Sequence, residues 1–212
     1  MKKILLRAAF IFHLSSFILA CAPAPSSPTF LINISVSPAA QPFLDDLFDC
    51  ADAASITPNI TSDSPDLLLR LGLPDGWAGS AFQVAAEDIL IVVSAYSPIG
   101  SLPPASARTI FAGQGNPPAQ VWAYASEEET RKAFESTFMG WRNITSFARL
   151  AASPAHMLEA LTSDPNAIGI LPRRWMNDQL RELLVAATVP VLALTPSEPA
   201  GPVREWIACL QQ

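Results

Sequence analysis

The chain has 212 residues, half of them hydrophobic and 15% charged, with 20 Pro, 3 Cys and 2 His. A chain this apolar can offset its ordering entropy by burial, which excludes a disordered protein, and its length holds one domain or two small lobes. Thirteen Lys and Arg against 19 Asp and Glu give a net charge of −6. That leaves no basic face for nucleic acid, and the few Cys and His exclude a Cys/His zinc site.

Lys2, Lys3 and Arg7 form a basic start, and Ala8 to Ala20 follow without a charge. The apolar stretch is too short for a permanent membrane-spanning helix and reads as an export signal. Ile18-Leu19-Ala20-Cys21 resembles a bacterial lipobox. This makes residues 1–21 the signal peptide with Cys21 as the lipidated residue, the alternative being an ordinary signal that happens to contain a Cys. Residues 22–29, rich in Pro and Ser, read as an extended tether. Without the signal the chain keeps 10 basic and 19 acidic side chains, net −9, and has no general attraction for anions. Cys50 and Cys209 remain, either as a disulfide of an exported protein or as two buried free thiols.

Phe30 to Val36 has a strand pattern, and Ser37-Pro38 then predicts a helix start, with Gln41 to Ala51 as the first helix. Asp66 to Leu71, Phe82 to Ala85 and Ile89 to Val93 read as strands, the last as a continuous apolar run of the kind buried parallel strands have. Ala105 to Phe111 reads as a short helix capped by Gly113. Gln120 to Tyr124 reads as a strand and Glu128 to Phe138 as a helix. Ser153-Pro154 caps a helix running to about Leu161, and Ala167 to Pro172 is a strand. Asn177 to Leu184 is read as a helix, Val189 to Leu194 as a strand and Pro202 to Gln211 as the terminal helix. Strands alternating with helices predict an α/β protein with mostly parallel sheets.

This order resembles the phosphate-binding-like branch of the type II periplasmic substrate-binding proteins, over Leu31 to Gln212. Ile34-Ser35-Val36-Ser37-Pro38 is similar to that branch's opening strand and Ser-rich turn. Asp88 to Ser94, with Ser97-Pro98-Ile99 and Leu102 following, looks like its crossover into the second lobe. Ala107-Arg108-Thr109-Ile110-Phe111-Ala112-Gly113 looks like its short helix, and Asp164 to Leu171 like its turn and strand. The resemblance implies a two-lobed periplasmic-binding-protein-like fold with a ligand cleft. Residues 30–93 plus 189–212 would form lobe one and residues 94–188 lobe two. It places Cys50 and Cys209 in one lobe, where they can form a bridge. It further implies a solute-binding lipoprotein of an ABC importer, with an oxyanion such as phosphate as the named ligand. The partners are then a small-molecule or anionic solute, an ABC permease and the membrane through the lipid anchor. The protein would be a monomer on the outer face of the bacterial cell membrane, in the periplasm or at the cell surface.

The candidate ligand-binding residues are Ser35, Ser37, Ser94, Thr130, Arg131 and Ser153. Ser37 opens a helix, where amides and hydroxyls suit an anion; its other reading is a cap on its own helix. The family's Ser-Gly-Thr-Arg aligns with Glu128-Glu129-Thr130-Arg131, so Thr130 and Arg131 match while two Glu replace Ser and Gly. With Glu127 these form three consecutive carboxylates, which favour a helix start but repel phosphate. Arg131 also has Glu127 and Glu135 at helical spacing as partners. Trp77, Trp122, Trp141 and Trp175 read as core or cleft residues, with core packing favoured. His156 with Glu159 makes no metal site, and neither a Gly-x-Ser-x-Gly nor a phosphate-loop pattern occurs. The expectation is a protein without catalysis, metal or cofactor. The alternative to an importer component is a surface lipoprotein with a degenerate binding fold, acting as sensor or interaction partner.

Overall fold

The computed structural model describes residues 30–114 and 119–212. The expected signal, lipidated Cys21 and tether lie outside the described residues. Strand β1 (Phe30–Val36) leads through a 3-10 turn (Pro38–Phe43) into helix α1 (Leu44–Ala53). Then come β2 (Ile56–Ile60), β3 (Leu67–Leu71), β4 (Ser80–Ser94) and α2 (Pro104–Phe111). They are followed by β5 (Gln120–Ala123), α3 (Glu129–Ala133), β6 (Arg149–Leu150), α4 (Pro154–Ser163) and β7 (Ala167–Pro172). The chain closes with β8 (Leu180–Thr195) and α5 (Gly201–Leu210).

All eight strands join one mixed sheet in the order β2-β1-β3-β8-β4-β7-β5-β6. Four pairings are parallel, β1 with β2 and β3, and β5 with β6 and β7. The three central ones are antiparallel. β4 and β8 are the long spines. The start of β4 pairs with the end of β8 beside β3, whereas Ile89–Val93 of β4 pairs with β7. Register shifts at three points along the β4–β8 ladder mark bulges, which bend a strand and increase its twist.

Each side of the sheet has its own packing. Ile89 to Val93, Ile168 and Ile170 are fully buried, and α4 lies on β7. Gly169 permits that approach, because a Cβ there would stand 2.7 Å from Met157 Sδ. Near the chain ends, α1 packs on α5 through the buried Leu47, Ala51, Trp206 and Ile207. The Trp206 indole donates to the Leu47 carbonyl at 2.9 Å. A disulfide joins Cys50 to Cys209 across 159 residues, with Cα atoms 5.7 Å apart.

Several elements differ from the sequence expectation. The first helix opens as a 3-10 turn because Pro42 has no N–H to give, and α1 proper starts at Leu44. The helix expected over Asn177 to Leu184 is instead the beginning of β8, paired with the end of β4. Its leucines have helical spacing, but a buried strand waiting for a partner overrides that preference. The expected strands Phe82–Ala85 and Ile89–Val93 are one continuous β4. Beyond Ala133, α3 widens into a π-helical turn over Phe134–Phe138.

Candidate functional site, a cleft held by two carboxylates

A cleft of about 760 Å³ opens where the end of β3 and the loop after it face α3. Arg70, Leu71 and Asp75 line one wall, and Glu129, Lys132 and Glu135 the other. β3 ends there because Gly72 turns the chain with φ +66, in the left-handed region that glycine favours. α3 begins there because Glu128 stays extended and caps it, its carboxylate accepting from the Arg131 N–H at 3.0 Å.

Glu129, the first residue of α3, reaches across the cleft. One carboxylate oxygen accepts from the Ser37 hydroxyl and from the Leu71 N–H at 3.2 Å. The other lies 3.2 Å from Arg70 Nε. A hydroxyl, an amide and a guanidinium from the β1–β3 side therefore converge on one carboxylate from the opposite wall, and Glu129 is only 8% exposed. Glu128 serves its own side in the same manner, accepting also from the Thr130 hydroxyl at 2.9 Å.

Burial sets the charge state of both groups. Loss of water raises the Glu128 carboxyl to about 7, with the neighbouring Glu129 adding to the rise and the Arg131 amide and Thr130 hydroxyl opposing it. Burial raises Glu129 as well, against the pull of Ser37, the Leu71 amide and Arg70. Beneath them the Tyr124 hydroxyl is buried without a hydrogen-bond partner among the described residues, and burial followed by the Glu128 charge keeps its proton on.

Ser37, Thr130 and Arg131 are thus drawn into one neighbourhood, each with a side-chain donor engaged. The Ser37 hydroxyl makes no cap on its own turn and goes to Glu129 instead. Arg131 donates through Nε to Glu135 at 2.9 Å and through Nη1 to the Tyr124 carbonyl at 2.9 Å. Ser35 sits half-buried on β1 opposite Leu68. Ser94 and Ser153 serve local turns: the first accepts from the Tyr96 N–H, the second caps α4 through the His156 N–H. Trp141, read from the sequence as a core or cleft residue with core favoured, stands 83% exposed on the cleft rim with φ +65. It follows Gly140, which itself has φ +62, so the turn continues in a left-handed conformation that a bulky side chain adopts only at a cost. Arg70 was missed by the sequence reading. Its signal is a lone charge inside the run Leu67-Leu68-Leu69-Arg70-Leu71.

A second cavity, of about 410 Å³, lies between Pro98–Pro103 and the residues Ser106, Thr109, Ile110 and Ala119. Among the described residues, no titratable side chain lines it.

Compared with known proteins, the sequence matches no protein-family model and no curated protein. Solved structures do share its fold. A putative phosphate ABC transporter substrate-binding protein with bound phosphate from Clostridium perfringens superposes with a TM-score of 0.72 at 13% identity, over 85% of this chain and 92% of that one. An ABC-type phosphate transport receptor from Vibrio cholerae gives a TM-score of 0.63 at 18% identity, over 85% and 93% of the two chains. The regulatory domain of CcmR from Synechocystis PCC6803, in complex with 2-PG, gives 0.67 at 12% identity over 86% and 96%. At these identities the likeness is one of fold: a periplasmic-binding-protein-like arrangement of sheet and helices, found in transport receptors and in a regulatory domain alike.

Proposed function

We propose that the chain is an extracytoplasmic solute-binding lipoprotein of an ABC importer, tethered through Cys21 and holding a small solute in the cleft between two lobes. Residues 30–93 with 189–212 form one lobe in this reading and residues 94–188 the other, with β4 and β8 as the connection. Solute touching both walls shifts the open–closed equilibrium, and the closed form docks on the permease. The observation that carries the reading is the cleft of about 760 Å³, with polar groups from both sides of the sheet aimed into it. Phosphate is the ligand of the Clostridium perfringens protein, yet here Ser37, Thr130 and Arg131 all have partners already. Phosphate is therefore the named but discounted ligand.

Those same engaged donors favour a second reading, a lipoprotein that kept the fold, lost transport, and acts as sensor or interaction partner. A thermal-shift screen of the exported chain against oxyanions, amino acids, sugars and metals separates the two. A solute at about a hundred times its dissociation constant adds nearly 3 kcal/mol, which raises Tm by about 5 °C or more. A saturable shift with an oxyanion, amino acid, sugar or cation supports the solute-binding reading, and a flat response across the panel supports the second.

A further inference from the structure

The Ser37 hydroxyl and the Leu71 amide, as hydrogen-bond donors, and the Arg70 guanidinium, as a counter-charge, form a site whose occupant is part of the chain. We propose that Glu129 is a built-in ligand: its carboxylate fills an oxyanion site on the β1–β3 side of the cleft, excludes free anions from it, and makes the site selective for a small carboxylate or phosphate once Glu129 is removed.

Three features of the geometry carry this. The donors come from separate stretches of the chain, Ser37 after β1 and Arg70 and Leu71 at the end of β3, so no local turn explains their convergence. They are of the three kinds that recognise an oxyanion, a hydroxyl, a backbone N–H and a guanidinium, and charge assistance makes such bonds strong. Their acceptor comes from another element, 92 residues away from Ser37, and it is buried. A glutamate serving only as a helix-start acid would point along its own helix to its own amides. In α3 that task falls to Glu128, whose carboxylate takes the Arg131 N–H and the Thr130 hydroxyl. Glu129 is left to face outward, across the cleft.

The consequence is a change of specificity by one side chain. While the tethered carboxylate is present, a free anion must displace a group held at very high effective concentration and must also bear its repulsion and that of Glu128. With the carboxylate gone, the Ser37 hydroxyl and the Leu71 N–H lose their acceptor and Arg70 its counter-charge in a partly buried place, and a small anion restores all three contacts. The inference uses the cleft of the proposed function but not the import role, and the two fail separately. A solute that shifts the wild-type protein bears on import, whereas an anion that shifts only the variant bears on Glu129.

The test is chemical rescue on the full chain and its Glu129→Ala variant, with sodium acetate and inorganic phosphate as probes and chloride at equal ionic strength as the control. The variant should melt several degrees below the wild type. Saturating acetate or phosphate should return about 5 °C or more of that loss while leaving the wild type no different from the chloride control. Adding Ser37→Ala to the variant should weaken the rescue by about tenfold. Equal anion shifts in both proteins, or no shift beyond chloride in the variant, would overturn the proposal. Should Glu129→Ala fail to fold, the milder Glu129→Gln and Ser37→Ala decide the matter between them. Their Tm losses should fall short of additive in the double variant, and strict additivity would mean that the two groups do not share a site.

Discussion

Two bridges tie the β1–β3 side of the sheet to the β5–β7 side, and they differ in nearly every physical respect. At the cleft, one buried carboxylate, 8% exposed, meets a hydroxyl, an amide and a guanidinium. At the turn after β7, Arg173, Arg174 and Trp175 reach out as a clasp. Arg174 pairs with Asp46 at 2.9 Å and lies 4.0 Å over the Phe43 ring, and the Trp175 indole donates to the Ala39 carbonyl at 3.2 Å. Arg173 pairs with Asp88 and Glu182 nearby. The clasp contains more ion pairs, but its arginines are 44% exposed, so solvent and salt screen them. The lesson is that the number of charged contacts says little about which bridge holds. Burial decides, because a group cut off from water loses far more when its partner is removed.

That contrast can be calibrated and then attacked. The largest expected effect lies outside both bridges. Cys209→Ser opens a loop of 159 residues, and loop entropy assigns that closure about 5 kcal/mol. Urea unfolding of the variant should show it, and a loss under 1 kcal/mol would mean the unfolded chain is compact. Glu129→Ala comes next, at about 3 kcal/mol, since it leaves Arg70, the Leu71 amide and Ser37 unpaired in a partly buried place. If it costs no more than a clasp substitution, burial is not what distinguishes the bridges.

The pH dependence follows at about 2 kcal/mol. Glu128, raised to about 7, and Glu129 and Glu87, raised less, all have folded pKa values above the ordinary 4.5. The folded state therefore binds more protons than the unfolded one between these values. Stability should rise as pH falls from about 8 through 7 towards 5, with a slope that Glu128→Gln flattens. A Tm that falls over this window would contradict the burial of these carboxyls. Asp88, held below its ordinary value first by the Thr188 hydroxyl, acts with the opposite sign and only at lower pH. The smallest effect belongs to Arg174→Ala, under about 1 kcal/mol and vanishing further in 0.5 M salt. A loss as large as that of Glu129→Ala would reverse the ranking.

Much of the fold is legible along the chain, for definite reasons. β3, β5 and β7 show as compact apolar runs, and α4 announces itself by Ser153-Pro154, a cap and a first-turn proline that the structure uses as such. β2 escaped notice because Ile56-Thr57-Pro58-Asn59-Ile60 contains a proline. It is a strand all the same, since it lies at the sheet edge, where an N–H can be missing. β8 was misread at its start because Leu180, Leu183 and Leu184 have the spacing of a helix face, and pairing with β4 outweighs it. At the candidate site, Thr130 and Arg131 are named by their motif. Their partners Glu128, Glu135 and the Tyr124 carbonyl lie close in sequence, so helical spacing could suggest some of them. Arg70 and the Leu71 amide could not be connected to Ser37, because nothing local joins them.

By itself the sequence determined the alternation of strands and helices, the terminal helix that carries Cys209, and the three glutamates at the start of α3. Each depends on residues near one another, where periodicity, capping and composition act. Only the tertiary structure decided what those glutamates do. Whether Glu129 faces solvent, its own helix or the opposite wall depends on how α3 is set against β3, and that is fixed by the long ladder of β4 and β8. Convergence of Ser37, Arg70 and Leu71 on one carboxylate is a property of three-dimensional packing, and its energy comes from the exclusion of water that packing alone provides.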